Sequence, residues 1–492
     1  MTEHQFLDGR SKQLLIGGRW IDAKTGETFE SRNPANGALL ATVAKAREAD
    51  VDLAVEAARA AFEAGPWPRF SSAERQQLLL RLAELLERDA EAFARLDTLD
   101  MGMPLWRTRG AVRMLIDLLR FFAGRTRSIN GETLNPSNSQ LFACTLREPV
   151  GVCGAIIPWN SPAWSAVLKL APVLATGCTL VLKPAEDASL APLMLGALAQ
   201  EAGVPPGVFN VITGFGCDAG AALASHLGVD KLSFTGSTET GRAIVAASAG
   251  NLKRLSLELG GKSPNIIFAD ADLELAARTA AVGAFGNSGQ MCSAGTRLFV
   301  ERPVHDAFVT EFARQSKDLR VGDGLDANTI LGPLVSSRQL ERVSAHMADA
   351  VAAGATPVCG GSRLTGPSYD QGFFFPPTIV GGATDEMRVV REEIFGPVVA
   401  VLPFDDEAEA VARANRTPYG LGAGVWSKDI GRAMRLSRSL KAGSIWVNCY
   451  NEIDPAVPAG GVKGSGYGRE YGAEHLDEHL QTKSLWIASG TA

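Results

Sequence analysis

The sequence predicts an α/β protein organised around two units of parallel sheet, and three observations carry that expectation. From about residue 148, short apolar runs alternate with helical stretches: VGVCGAIIPW, 161–177, TLVLKPA, 189–203, FNVITG, 217–227, KLSFTG, 237–250 and LSLELGG. Strands joined by helices in this way form right-handed βαβ units, a layout of nucleotide-binding type. A second alternating region runs from about 261 to 450, with strand-like NIIFAD, RLFVER, PTIV, PVVAVLPF and GAGVWS. Ahead of both, 47–63 and 71–96 place apolar residues at three- and four-residue spacing among Arg and Glu, so the N-terminal part reads as helix-rich.

Composition sets the bounds. The 492 residues suggest roughly three structural units, and 46% hydrophobic with 21% charged residues is an ordinary globular balance. Basic residues number 48 against 54 acidic ones, a net charge of −6 that gives no general attraction to nucleic acid or anionic lipid. The opening MTEHQFLDGRSKQLLIGG carries Glu3 and Asp8 and no signal-like apolar run, so a cytoplasmic protein is expected. The stretch between Lys169 and Lys183 is too short to span a bilayer. Seven cysteines, Cys144, Cys153, Cys178, Cys217, Cys292, Cys359 and Cys449, are scattered without a C-x-x-C pair, as in a chain of reduced thiols. From 480 on, SLWIA reads as a strand whose edge needs covering, often by another subunit.

Four features could carry chemistry. Gly214, Gly216 and Gly220 follow FNVIT, and Gly236 and Gly241 follow KLSFT with Ser237 and Thr238 opening a helix. Such turns let backbone N–H groups approach a phosphate, although tight turns without a ligand look the same. Lys183-Pro184-Ala185-Glu186 follows the strand TLVL, where open α/β sheets bind ligands. Glu there could accept from ribose hydroxyls and would repel a 2′-phosphate; a solvated helix-start acid is the bland alternative. Cys292 sits between glycines in GQMCSAG, accessible and strongly nucleophilic if its pKa is lowered, otherwise an inert thiol. Glu258 ends an apolar run in LSLELGG, where burial would raise it toward a general base, and Asn160 in IIPWNSP could donate to an oxyanion or cap a turn.

Taken together, PWNSP at 158–162, KPAE at 183–186, GFGCDAG at 214–220, FTGSTETG at 234–241, LELGGKSPNIIF at 257–268, GQMCSAG at 289–295, EEIFGPV at 392–398 and GGVKGSGYGRE at 460–470 resemble the NAD(P)-dependent aldehyde dehydrogenase family over nearly the whole chain. The resemblance implies an α/β fold with a Rossmann-like cofactor domain (1–125 and 148–260), an α/β catalytic domain carrying the nucleophile (261–460), and a small β oligomerisation element, a hairpin at 126–147 with a C-terminal strand at 478–492. It makes Cys292 the nucleophile, Glu258 the general base and Asn160 the oxyanion donor, joined by the backbone N–H of Cys292. It places Lys183 and Glu186 on the adenosine ribose, Gly236 and Ser237 beside the pyrophosphate and Glu393 on the nicotinamide ribose, with Trp159, Gly216, Gly220, Phe234 and Phe395 completing the cofactor site. NAD is expected from Glu186, with NADP as the second candidate. A homodimer or homotetramer is implied.

Around the aldehyde entrance, where many relatives of this type carry bulky aromatics, the motifs put Ser161, Leu168, Gly286, Ile453 and Ala459, while Trp164 and Met291 add apolar surface. With no charged residue among them, a bulky apolar or aromatic aldehyde is expected, rather than a small charged one. Three rivals stand beside this reading: an acylating enzyme that passes the thioester to coenzyme A, a non-catalytic protein on the same fold, and a zinc hydrolase using the H-x-x-E-H pattern His475-Leu476-Asp477-Glu478-His479. For the first reading no metal is expected.

Overall fold

In the computed structural model, residues 2–488 are described. Eight strands form the first sheet, in the order Gly466–Tyr467, Arg254–Glu258, Lys231–Thr235, Val152–Ile157, Thr179–Pro184, Phe209–Val211, Leu14–Ile16, Arg19–Ile21. The five from Arg254–Glu258 to Phe209–Val211 run parallel. Chain order reverses between Val152–Ile157 and Lys231–Thr235, so the connections leave the sheet on opposite sides there and a crevice opens at the strands' carboxyl ends. The continuous apolar runs follow from burial on both faces. Along Val152–Ile157, Cys153, Ala155 and Ile157 pack into a helical layer of Leu79, Leu119 and Leu170, while Val152 and Ile156 face Val51, Val55 and Leu223.

The second sheet has seven strands in the order Thr356–Cys359, Thr378–Gly381, Val398–Phe404, Arg297–Glu301, Pro264–Ile267, Gly422–Trp426, Ser444–Val447, parallel except the first. It alternates faces in the same way: Val398, Ala400 and Leu402 enter one core, Val399 and Val401 the other. A third sheet pairs Leu480–Ala488 with Leu141–Pro149 in antiparallel register from Leu480↔Pro149 to Ala488↔Leu141. Thr133–Leu134 completes it, so Leu480–Ala488 is its edge among the described residues. Phe142, Leu146, Leu485, Trp486 and Ile487 are exposed on this sheet. No helix among the described residues is long and apolar enough to cross a membrane.

Several expectations need correction. The helix expected over 71–96 is two, Ser72–Arg88 and Ala90–Met101, broken at Asp89, whose ψ of 14° leaves the helical range. After a one-turn helix, Glu3–Phe6, the first 44 residues hold four short strands, Leu14–Ile16, Arg19–Ile21, Thr28–Arg32 and Leu39–Ala44, too brief for a period to register. Thr356–Cys359 and Ser444–Val447 also went unforeseen. The expected unit boundaries shift: Gly466–Tyr467, beyond 460, returns to the first sheet beside Leu257 and Glu258, and the strand from Leu141 runs past 147 to Pro149. The C-terminal strand is seen to Ala488, and 489–492 of its expected span lie outside the described residues.

Candidate active site

The Cys292 loop starts where the helix Leu273–Phe285 ends. Asn287, Ser288 and Gly289 then take φ of 52°, 55° and 70°, three successive left-handed residues that turn the chain back. That conformation costs about 1–2 kcal/mol for each residue with a Cβ, and side-chain hydrogen bonds offset it. Ser288 Oγ donates to Gly332 O at 2.6 Å and Asn287 Nδ2 to Asn160 O at 3.1 Å. The fully buried Gln290 gives Nε2 to Asn287 O at 3.1 Å and accepts Val335 N–H at 3.0 Å. Glycines let distant segments close on this turn: a Cβ on Gly289 would stand 2.1 Å from Gly396 O, and one on Gly261 would stand 2.4 Å from Cys292 O. LELGG, GQMC and EEIFGPV thus meet around one half-buried thiol.

Asn160 follows the strand Val152–Ile157 at the crevice, and its Nδ2 donates to Gln290 O at 2.8 Å. One of its two amide N–H groups is thereby spent on the loop carrying the thiol, and the other is left for a ligand. Glu258 ends its strand with Oε1 buried and without a hydrogen-bond partner. Only a glycine at 460 leaves it room, since a Cβ there would lie 2.7 Å from that oxygen. Burial, then the Glu470 carboxylate, holds Glu258 well above the usual carboxylate range, against the pull of Lys169 and Arg469. Lys169 is itself buried and paired with Glu470.

The condition set for Cys292, a lowered pKa, is not met. Burial, followed by the charges of Glu393 and Glu258, pushes the thiol up to about 12. Glu393 accepts Gly261 N–H at 3.1 Å and is raised by burial to about 7.

The other expected cofactor residues stand at or beyond the carboxyl ends of the first sheet's strands, with Phe395 reaching them from the second unit. Lys183, 1% exposed, holds its Nζ 3.3 Å from Glu186 Oε2, and burial pulls it below the usual lysine range. The Phe234 ring folds over Gly236, where a Cβ would meet it at 2.5 Å. Ser237 caps the helix Thr238–Ala247 by accepting Thr240 N–H at 3.1 Å. Gly216 and Gly220 bound one turn, and a Cβ on Gly216 would meet nothing within 4 Å. Beside that turn a cleft of about 480 Å³ opens between Arg47, Cys217 and Asp218. Trp159, from the first sheet, meets Phe395, from the second unit, with ring centroids 5.2 Å apart and planes perpendicular. An anion-favouring helix start, a buried ammonium beside a carboxylate and glycines open to the crevice suit a dinucleotide.

The expected entrance residues divide. Trp164 is half-buried and donates Nε1–H to Tyr471 Oη at 2.7 Å. Met291 and Ala459 are half-buried, and Ala459 bridges Glu470 through the backbone. Leu168, 4% exposed, belongs to the core, whereas Ile453, 41% exposed, stands at the surface. The expectation of an uncharged entrance fails at Gly286. Arg107, from the helix Leu105–Arg125, occupies the space beside that glycine, 2.7 Å from where its Cβ would be, and donates to Met291 Sδ at 3.1 Å. The rival H-x-x-E-H pattern has other partners: His475 Nδ1 accepts Tyr471 N–H at 3.2 Å, and Glu478 pairs with Lys231 at 3.2 Å and accepts from Ser256 Oγ at 2.9 Å.

Sequence reasoning missed Glu470, Lys169, Gln290 and Arg107. Glu470 and Gln290 stand inside quoted motifs and could have been marked as candidates. Lys169 and Arg107 lie on helices whose apolar periodicity carries no sign of what they face.

Comparison with known proteins agrees with this geometry. Residues 20–485 match the pattern of the Aldehyde dehydrogenase family. The chain is similar to aldehyde dehydrogenase 1 of Tanacetum cinerariifolium, with 47% identity over 97% of this chain and 95% of the relative. Among solved structures it is similar to an aldehyde dehydrogenase of Bacillus cereus in its NAD+ complex, with TM-score 0.96, 44% identity and coverage of 99% and 98%. It is also similar to the betaine aldehyde dehydrogenase of Staphylococcus aureus in complex with NAD+, with TM-score 0.97, 38% identity and coverage of 100% and 97%.

Proposed function

Because the chain belongs to the aldehyde dehydrogenase family, we propose that it oxidises an aldehyde to the carboxylic acid with NAD, through a thioester on Cys292. One observation carries the reading: Asn160 is tied to the Cys292 loop by its amide, and Glu258 keeps a buried, unpartnered oxygen whose charge acts on that same thiol. NADP is the second candidate cofactor. The NAD+ complexes of two similar proteins support NAD, as does Glu186, which repels a 2′-phosphate.

The chain's own groups then have these tasks. Glu258, made basic by burial, accepts the thiol proton as Cys292 Sγ adds to the carbonyl carbon. The carbonyl oxygen becomes an oxyanion held by the second Asn160 N–H and the Cys292 backbone N–H; losing one such donor costs about 10²–10³ in rate. NAD, when bound on Lys183, Glu186, Gly236, Ser237 and Glu393, supplies the hydride acceptor that turns this adduct into a thioester. Glu258 takes a proton from the water that adds to the thioester carbon, the C–S bond breaks, and the carboxylic acid leaves. Between the two steps Glu258 passes the thiol proton to solvent, and the paired charges of Lys169 and Glu470 set how readily it does so. Water, rather than coenzyme A, is the acceptor because a base aimed at the thioester serves hydrolysis.

For substrate we propose a bulky aldehyde with an apolar or aromatic body. Ser161, Gly286 and Ala459 are small, and Trp164 and Met291 offer apolar faces. Likeness to a betaine aldehyde dehydrogenase, whose named substrate is a small cation, points the other way, and the aldehyde series below decides between the two. The exposed apolar residues on the edge sheet support a homodimer or homotetramer closed through that sheet, and seven unpaired thiols support a cytoplasmic protein. The test is NADH formation across an aldehyde series, with NAD and with NADP, using Cys292→Ala as control. A higher kcat/KM for benzaldehyde-like than for two-carbon aldehydes, and for NAD than for NADP, is expected. Activity retained by Cys292→Ala refutes the scheme.

A further inference from the structure

Arg107 lacks the acceptors that Arg297 and Arg75 have. A guanidinium carries five N–H donors, and buried ones need strong acceptors. Arg297, buried deeper, gives its donors to three carbonyls, Lys262 O at 2.8 Å, Arg413 O at 3.3 Å and Ala414 O at 2.9 Å. Arg75 reaches Phe70 O at 2.7 Å and Ala175 O at 3.2 Å. Arg107 donates only to the thioether of Met291, a weak acceptor, and no described carboxylate pairs with it. Burial alone, unopposed by any anion, pulls it below the usual arginine range.

Helix energetics do not account for it either. Arg107 stands in the first turn of Leu105–Arg125, which has no acidic residue to offset it. A cation at that positive end is unfavourable by a few tenths to about 1 kcal/mol. The unpaired guanidinium favours an anion. The neighbours fix where the guanidinium stands. Nη1 lies 2.7 Å, and Cζ and Nη2 each 3.2 Å, from the point a Cβ on residue 286 would take, so a glycine is needed to admit the head group. Met291, its only partner, is the residue next to Cys292. Arg107 is half-buried, so its free donors remain reachable.

We infer that Arg107 binds a carboxylate on the aldehyde substrate, so that the enzyme acts on aldehyde acids: molecules with an apolar or aromatic body, an aldehyde at the Cys292 end and a carboxylate at the other. This rests on the aldehyde-oxidising reading and extends it, since the body still fills the small-residue entrance while its far end pairs with the one guanidinium there.

The test compares 4-carboxybenzaldehyde with 4-methylbenzaldehyde, nearly equal in shape, by NADH formation with the full-length enzyme. Wild type is expected to prefer the carboxylate by about ten- to a hundredfold in kcat/KM, chiefly through KM, the effect of one charged hydrogen-bonded pair. In Arg107→Met that ratio falls at least tenfold, and Arg107→Lys recovers part of it, because Lys keeps the charge without the planar fork. Circular dichroism shows whether each variant is folded, and the wild-type ratio stands without any variant. A wild-type ratio near one, or a ratio that Arg107→Met leaves unchanged, overturns the inference while the oxidation of both aldehydes upholds the parent reading. No turnover of either aldehyde overturns both.

Discussion

Replacing Gly289 by Ala tests how the nucleophile is held. The new Cβ would lie 2.1 Å from Gly396 O and 2.3 Å from Gly396 C, both backbone atoms. They cannot swing aside, because Gly396 O accepts Val398 N–H at 2.7 Å at the start of a core strand. The position also has φ of 70°, costing about 1–2 kcal/mol with a Cβ, and overpacking adds about 1–3 kcal/mol. A loss of about 2–5 kcal/mol is expected. Since Gly289 is three residues before Cys292, relief by moving the loop misplaces the thiol, and a shift near 1 Å costs about 10² in rate. Gly286→Ala, at the head of the same turn, is the contrast. Its φ is −49°, and its Cβ would meet only the end of the Arg107 side chain, which can rotate away for less than about 1 kcal/mol. Urea unfolding of both variants, read by tryptophan fluorescence, gives the stability difference, and NADH formation gives the rate. Gly289→Ala matching wild type within 0.5 kcal/mol and threefold in kcat, or Gly286→Ala being the less stable of the two, would refute the reasoning.

Two further outcomes follow from the charges. Lys169 lowers Glu258 from its burial-raised position, so Lys169→Met is expected to raise it further and move the acidic limb of the pH–kcat profile upward by about one unit; a limb that stays put or moves down contradicts that charge effect. With its thiol pushed up to about 12, Cys292 in cofactor-free enzyme keeps its proton at neutral pH. Its iodoacetamide alkylation, followed by peptide mass spectrometry beside the exposed Cys217, should rise about tenfold per pH unit beyond pH 9; a plateau below pH 9 contradicts the burial argument.

The parallel sheets were legible because both faces of each are buried, so strands such as Val152–Ile157 read as unbroken apolar runs and their helices as periodic ones. Cys292, Glu258 and Asn160 stand out as candidates because each sits in a short segment with glycine or proline neighbours, Glu258 and Asn160 at a strand end and Cys292 between a helix and a strand. The N-terminal strands were not, since strands of three residues such as Leu14–Ile16 have no period to detect. The break at Asp89 was hidden because the apolar spacing continues across it. Lys169 and Arg107 stayed hidden for a different reason. Their meaning lies in what faces them, Glu470 for one and Gly286 for the other, and those partners are distant in the chain. The thiol's raised pKa was equally out of reach, because it depends on how Glu393 and Glu258 are brought around it.

The most direct measurement of the scheme is the mass of the wild-type protein quenched in acid during turnover of benzaldehyde with NAD. The trapped acyl group should add the mass of one benzoyl group to the peptide that contains Cys292. An unmodified Cys292 peptide during turnover, or the same mass on a different cysteine, would contradict the account.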